Sequence, residues 1–542
     1  MAGHSNGRSV VSRHLVIGSG PAGVACAQAL VKRGLQVQML DAGLKLEPAR
    51  AEFVAGLRAT APADWSAAAV ARLKEGVTAT SKGIPLKRVY GSDFPYAGAE
   101  EHLPADYQGV GLRPSLALGG LSNVWGSAML PYREDDMQGW EVTSSELAAH
   151  YRAVLEFTGL SATKDDLETL FPLHAERAVP LRLSRQAKSF LATLTEHRDR
   201  LRAQGMTFGG SRIAVQAGAS AGAAGCVYCG LCMYGCPYGY IYNSADTVHR
   251  LAREKNFTYS PGVVVTHVRE DSHTVHVSGY ARDSRQPVQR QADRVYLAAG
   301  VLPTTAILLR SLEAYAQPVT ALDSQYFLFP LLRFRGQRDV RAEALNTLSQ
   351  LFLEIQNRDV NRHTVHLQVY SYNDLVGQAV RKAFGPLAKP LELLARRLEE
   401  RLLVVQAYLH SDDSAKIRMM LRQGGSGQAD RLEVTAQDNP ATGPAIRRVI
   451  QWVRRNSLRL GGVPVSPMLQ VAEPGRGFHS GGSFPMRRSP GAFETDLLGR
   501  PRGWDRIHAV DSTVLPSIPA TTITFSVMAN AHRIGWEAGA LP

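Results

Sequence analysis

Strand, glycine turn, helix, strand and acid follow one another in residues 13–43, RHLVIGSGPAGVACAQALVKRGLQVQMLDAG, an order that commits the chain to an α/β fold with a parallel sheet. Leu15, Val16 and Ile17 form a short apolar run suited to a strand buried on both faces, and Gly18, Gly20 and Gly23 then supply G-x-G-x-x-G. The first glycine permits the tight turn. Gly20, followed by Pro21 and Ala22 at the helix start, removes a Cβ so that backbone approaches a pyrophosphate, whose charge is met by the free N–H groups of the helix. Gly23 lets that helix lie close on the strand. Asp41, beside Ala42, ends a second strand read over residues 35–40, eighteen positions after Gly23. A carboxylate there accepts hydrogen bonds from the ribose hydroxyls of an adenosine, and an acid in place of arginine disfavours a 2′-phosphate, so FAD or NAD is preferred over NADP.

Only five cysteines occur, four of them within eleven residues, which excludes a disulfide scaffold spread over the chain and points to a metal centre. Cys226, Cys229, Cys232 and Cys236, followed by Pro237, spell C-x2-C-x2-C-x3-C-P, the spacing of bacterial iron–sulfur ligand runs. No second run exists for a second cluster, so either all four hold one [4Fe–4S] cluster, or three hold a [3Fe–4S] or [4Fe–4S] centre and one is spare, with Cys229 the candidate spare. A structural zinc site is the alternative, although zinc cages usually pair two C-x2-C knuckles across a longer loop. Cys26, inside the first helix, reads as a small buried hydrophobe.

A chain of 542 residues with 44% hydrophobic content and 49 glycines can bury two cores. No run of about eighteen uncharged apolar residues appears, and residues 1–12 lack a basic-then-apolar leader, so a cytoplasmic protein without its own signal peptide is expected. The net charge of +13 is scattered and poorly interleaved with aromatics, which argues for anionic substrates, an acidic partner or a membrane surface over nucleic acid; simple solubility charge explains it as well.

Residues 44–110 are alanine-rich and polar, with a helix expected near 67–73. The stretch 117–131, ALGGLSNVWGSAMLP, is a glycine-dense loop: Gly119, Gly120 and Gly126 allow backbone to pass close to a flat ligand, with Asn123 and Trp125 beside them. Helical segments are expected over 144–157 and 181–203, and strands over 263–268 (containing Val264), 274–280 and 295–299. The last feeds Ala299, Gly300 and a helix from about Thr304, a second strand-to-helix crossing of the kind that lines the far side of a dinucleotide. Residues 325–334, 351–356, 365–372, 402–409, 416–421 and 432–435 read as strands of an antiparallel sheet in a substrate domain. Between two of them, 375–401 mixes Arg381, Lys382, Lys389, Arg396, Arg397 and Arg401 with regularly spaced apolar residues. Such an insertion can lie on an anionic membrane, and equally can be a helix pair packed on its own domain; a basic helix over 445–459 carries the same ambiguity.

Near the end stand FHSGGSFPM, residues 478–486, and RIHAVDSTVLPSIPATTITFSVMANAHRI, residues 506–534. With the glycine fingerprint, the Gly119 loop and LAAGVLPTTAILLRS, these resemble the glucose–methanol–choline (GMC) oxidoreductases. His479, Gly482 and Met486 fall on that family's H-x-x-G-x-x-x-M, and Asp511, Pro516, Ala531 and Arg533 on its closing pattern. A cysteine run before the central strands is similar to a subset of that family, the membrane-linked sugar dehydrogenases and long-chain alcohol oxidoreductases, and in the sugar dehydrogenases of that subset an iron–sulfur cluster sits near the flavin. The resemblance implies an FAD-dependent enzyme that oxidises a CH–OH group of an alcohol or sugar and passes electrons through an iron–sulfur cluster to an acceptor protein or quinone. It also implies an α/β Rossmann-type FAD domain (1–140, 216–315 with the cysteine loop, and 471–542) interwoven with an α+β substrate domain on an antiparallel sheet (141–215 and 316–470). Alcohol oxidation needs a base facing the flavin while hydride leaves the carbon, and His479 is the candidate. The family's second active-site position, Asn or His, falls within residues 520–522, where neither occurs; Thr522 can hydrogen-bond a substrate oxygen but cannot replace a base. Asp511, Thr521, Thr522 and Ile523 are expected to contact the flavin, with backbone N–H groups near a helix start at the pyrimidine end. A flavin oxidase with a zinc-holding cysteine loop, and a flavin and iron–sulfur electron carrier without alcohol chemistry, remain as alternatives.

Overall fold

Leu15, Val16 and Ile17 are buried on both faces, and their strand, Arg13–Ile17, is the centre of a five-stranded, fully parallel sheet. Across it the order runs Ile507–Ala509, Arg294–Leu297, Arg13–Ile17, Gln36–Asp41 and Phe257–Pro261. The computed structural model describes residues 13–76, 84, 86–137, 139–218 and 224–541; the expectation about a leader rests on residues 1–12, which lie outside the described residues. Helices Pro21–Lys32 and Thr524–Ala538 share one core with Val16, Met39 and Tyr296. Their close approach depends on Gly535, where an added Cβ would stand 2.9 Å from the Cys26 carbonyl oxygen and 3.0 Å from its sulfur. Cys26 is thus the buried hydrophobe its helical position implied. On the other side, helix Val301–Ser311 packs with a three-stranded antiparallel meander, Val263–Glu270, Val275–Ala281 and Pro287–Ala292. That helix begins directly after Gly300 at φ +94°, three residues before the start read from sequence.

The second body is a seven-stranded antiparallel sheet. Its order is Gly462–Pro464, Tyr326–Arg333, Leu402–Tyr408, Val365–Tyr370, Leu351–Ile355 and Met206–Gly210, with Gln470–Val471 also paired to Tyr326–Arg333. Side chains alternate across such strands. Phe327, Leu353, Leu367 and Val405 enter a core with Phe190 and Leu194 of helix Arg185–Glu196 and Val449 and Val453 of helix Thr442–Arg455. The opposite face is mixed: Glu354, His366, Gln368 and Tyr370 share it with Phe352, Leu402 and Val404, and its Gln368, Tyr370, Gln406 and Tyr408 line a cavity shared with Ile17 and Leu40 of the parallel sheet.

The sequence reading placed 416–421 and 432–435 in this substrate sheet, and the structure corrects it. Lys416–Arg422 and Arg431–Gln437 pair instead with Pro318–Asp323 and, in parallel, with Ala105–Gln108, while Ser480–Gly481 closes the other edge. Ile417, Met419, Leu432 and Val434 bury against the nucleotide-side core, and partners more than 300 positions away leave no local trace. Residues 375–401 form helices Asp374–Phe384 and Glu392–Glu399, whose Val376, Val380 and Ala395 pack inward. Among the described residues no helix is long and apolar enough to cross a membrane.

Candidate active site

A cavity of about 360 Å³ lies between the glycine turn and the mixed face of the seven-stranded sheet. The three fingerprint glycines take three different parts in it. Gly18 (φ +104°) turns so tightly that a Cβ would stand 2.5 Å from the Ala298 carbonyl oxygen, and at Gly23 one would stand 2.0 Å from the Gly18 oxygen. At Gly20 a Cβ would meet nothing within 4 Å, because its missing side chain faces the cavity at the N-terminus of helix Pro21–Lys32. Gly300 repeats the pattern at the second crossing, with open space where its Cβ would be. Pro21, Ala22, Ala42, Trp125, Gly126, Val264, Ala299 and Ile523 also line the cavity.

Asp41 lies at the end of its strand, 8% exposed, and lines the cavity. It accepts from Ser19 Oγ (2.6 Å), the Ser19 N–H (3.3 Å) and the Tyr259 hydroxyl (3.0 Å), and burial raises its carboxyl to about 6 despite them. The Gly43 N–H also bonds this carboxylate, and its two oxygens together retain acceptor capacity for a ribose hydroxyl. Asp511 also lines the cavity, yet its oxygens are taken up by the Gly300 N–H (2.8 Å), Thr304 Oγ1 (2.6 Å) and the Thr513 N–H (3.0 Å). It fixes the Gly300 turn from behind. The open space at Gly20 and Gly300, the uncapped helix start and the Asp41 acceptor together fit a dinucleotide such as FAD.

Gly23, Gly119, Asn123 and Thr521 stand behind the cavity wall rather than on it. The Gly119 N–H donates to Ser19 Oγ at 2.9 Å, and Asn123 Oδ1 accepts from Asn243 Nδ2 at 2.8 Å, locking the loop onto helix Ser244–Leu251. Gly120 (φ +56°) brings this loop against the fingerprint, its would-be Cβ 3.2 Å from Gly20 Cα. Thr521 is buried with no partner for its hydroxyl, and Thr522, on the wall, donates to the Ala128 carbonyl at 3.3 Å.

His479 faces this cradle. The preceding Phe478 adopts φ +55°, a strained value for an aromatic residue, and presents the imidazole to the cavity stacked on Tyr408, ring centroids 4.8 Å apart. Its Nδ1 is buried without a hydrogen-bond partner. Burial, with His366 nearby, lowers the imidazole to about 3, so the ring is neutral and offers a lone pair rather than a charge.

Sequence reasoning missed the far wall, Gln368, Tyr370, Gln406 and Tyr408. The signal was partly present: VHLQVY alternates polar with apolar residues and LLVVQAY ends in the same way, yet His366, Gln368, Tyr370 and Tyr408 are buried and Gln406 is half-buried.

The four run cysteines line one small enclosed cavity. The Thr347 N–H points at Cys232 Sγ and the Tyr240 N–H at Cys236 Sγ, both at 3.4 Å. Burial pushes the Cys226 and Cys229 thiols up to about 12. The expected ligand group is brought to one place but not closed on a single ion: its sulfurs do not gather within 4.8 Å of one another, a spacing that His363, His410 and Asp412 do reach. Lys87 lies within electrostatic reach of Cys232 and Cys236. Its ammonium donates to the Trp125 carbonyl at 3.3 Å, and burial lowers it to about 8 against the opposing pull of Cys232 and Cys236.

Residues 15–316 match the family model described as GMC oxidoreductase. No curated protein matches the chain in sequence. Among solved structures, the chain is similar to pyridoxine 4-oxidase from Mesorbium loti, at 15% identity over 97% of this chain and 99% of that one, with a TM-score of 0.58. A formate oxidase is similar at 15% identity over 98% of both chains, with a TM-score of 0.61. An arginine variant of Aspergillus oryzae RIB40 formate oxidase, solved for its effect on FAD modification, gives 15%, 98% of each chain and 0.61. At such identity the likeness is one of fold.

Proposed function

We propose, from the premise that this chain belongs to the GMC oxidoreductase family and is an FAD-dependent oxidoreductase, that it oxidises the CH–OH group of a small alcohol or sugar with His479 as base. The observation that carries this reading is the neutral, buried His479 imidazole, its Nδ1 unpartnered, across the cavity from the glycine cradle. Gly20, Gly300 and Asp41 would hold the dinucleotide, and the bound flavin would supply a hydride acceptor. His479 takes the hydroxyl proton as the carbon loses hydride, and the neutral ring needs no prior deprotonation. Thr522, already donating to Ala128, is suited to orient a substrate oxygen by accepting from it. Tyr408 fixes the imidazole plane by stacking. The roof formed by the seven-stranded sheet keeps water from the reacting atoms.

The cysteine loop would hold an iron–sulfur cluster that exchanges single electrons with an acceptor other than oxygen. Two of its sulfurs already receive backbone N–H groups. Lys87, within electrostatic reach of Cys232 and Cys236, donates to the Trp125 carbonyl on the wall of the larger cavity. On helix Glu392–Glu399 and the turn before it, Leu387, Leu393 and Leu394 are exposed among Lys389, Arg396 and Arg397, a surface suited to an anionic membrane holding a lipid-soluble acceptor. Metal analysis of anaerobically prepared protein, joined to oxygen-uptake measurements, tests the electron route. Iron without rapid oxygen uptake is expected; zinc with rapid uptake would instead make the chain an oxidase with a structural loop.

A further inference from the structure

The cavity-facing side of the seven-stranded sheet carries a hydrogen-bonded chain that neither the cofactor cradle nor His479 requires. Alternation along Val365–Tyr370 sends Val365, Leu367 and Val369 into the core and leaves His366, Gln368 and Tyr370 on the other face. Register sets Glu354 directly opposite His366, and both are 0% exposed. His366 Nδ1 lies 2.6 Å from Glu354 Oε1, His366 Nε2 lies 3.2 Å from Gln368 Nε2, and the Tyr370 hydroxyl donates to Gln368 Oε1 at 3.0 Å. The chain begins at a fully buried carboxylate whose second oxygen has no hydrogen-bond partner, and ends at two residues that line the cavity.

Direction follows from what each group can give. An amide nitrogen only donates, and that of Gln368 faces His366 Nε2, so Nε2 accepts and the ring's hydrogen sits on Nδ1, toward Glu354. The Gln368 oxygen is left for the Tyr370 proton. Every hydrogen in the chain thus points toward Glu354. Tyr370 is left with no proton for the cavity, only lone pairs, one of which the Ser349 hydroxyl also approaches.

We propose that Tyr370, held in this orientation by Gln368, His366 and Glu354, accepts a hydrogen bond from a substrate hydroxyl other than the one oxidised, and so selects vicinal diols and sugars over simple alcohols. This rests on the alcohol-oxidation reading above. Tyr370 is the specificity residue, and Glu354 and His366 act through it as positioning residues. The opposite polarity, with His366 as imidazolium and the Gln368 amide reversed, would make Tyr370 a donor and favour ether or carbonyl oxygens instead.

The test uses FAD-loaded full-length protein with ethylene glycol and its monomethyl ether. Anaerobic flavin bleaching should half-saturate at roughly tenfold lower concentration with the diol, the worth of one good hydrogen bond, with limiting rates that differ little. Y370F and E354Q should each erase most of that advantage through half-saturation rather than through the limiting rate. Histidine nitrogen NMR on the unsubstituted protein should show His366 neutral, protonated at Nδ1, with a resonance that moves on adding the diol and not the ether. An imidazolium at His366, or a Y370F protein that binds FAD and keeps the full preference, would overturn the inference. If neither compound bleaches the flavin while the diol still moves the His366 resonance, the recognition stands and the oxidation reading fails.

Discussion

Gly20→Val separates the cofactor cradle from the fold. Gly20 sits at φ −66° and ψ 179°, backbone that any residue adopts, and a Cβ there meets nothing within 4 Å. The variant without cofactor should therefore keep its stability within about 0.5 kcal/mol of the parent. The added methyl groups, however, occupy the space at the start of helix Pro21–Lys32 where a pyrophosphate must reach the free N–H groups. FAD affinity should fall at least a hundredfold, about 2.7 kcal/mol. Gly23→Ala is the opposite case: its Cβ would stand 2.0 Å from the Gly18 carbonyl oxygen, and backbone must shift. That overpacking should cost about 1–3 kcal/mol of stability, with cofactor binding lost as a consequence. Urea denaturation of the cofactor-free proteins and flavin fluorescence titration give the two numbers separately. A Gly20→Val protein that binds FAD as tightly as the parent would refute the assignment of this cavity to the dinucleotide.

His479→Ala should leave FAD bound and slow substrate-dependent bleaching by at least about a hundredfold, the usual worth of a positioned base. Because burial holds His479 at about 3, kcat/KM should show no acid limb near the ordinary histidine value; the same shift favours protonation of the unfolded chain, so His479 contributes stability above pH 6.5 that is lost as pH falls toward 3. Thr522→Ala should cost less, roughly 0.5–1.5 kcal/mol in the same bleaching assay, and a larger loss than His479→Ala would reverse the roles. Cys232→Ser and Cys236→Ser should lower bound iron and abolish turnover with an artificial one-electron acceptor while alcohol still bleaches the flavin once; retention of full iron content would exclude these thiols as ligands. Replacing Leu393 and Leu394, 72% and 49% exposed, with Asp should weaken cosedimentation with anionic vesicles, and unchanged binding would remove the membrane from the account.

The nucleotide half of the fold was legible because its signals are local. Strand Gln36–Asp41 falls one residue from the expected bounds, and helix Ala67–Leu73 falls on them. Gly18 and Gly23 sit where backbone leaves no room for a Cβ, and Gly20 opens onto the cavity. Pairing was not legible: Ala105–Gln108 offers four residues with little strand character, and only the completed sheet shows that Arg431–Gln437 needs it. The same limit hid Glu354 and His366. Neither residue is unusual in its own strand, and register alone brings them together. The spacing of the cysteine run points to a metal centre but leaves open how many of the four thiols serve as ligands, and the N–H that aims at Cys232 comes from Thr347, outside the run.

The most direct test is to mix FAD-loaded protein with a panel of alcohols and sugars without oxygen, follow the flavin absorbance, and then admit either oxygen or an artificial one-electron acceptor. The account predicts that at least one diol or sugar bleaches the flavin, that His479→Ala slows this step, and that the one-electron acceptor restores the absorbance much faster than oxygen does. A flavin that no alcohol bleaches, or one bleached as fast without the His479 imidazole, would contradict it.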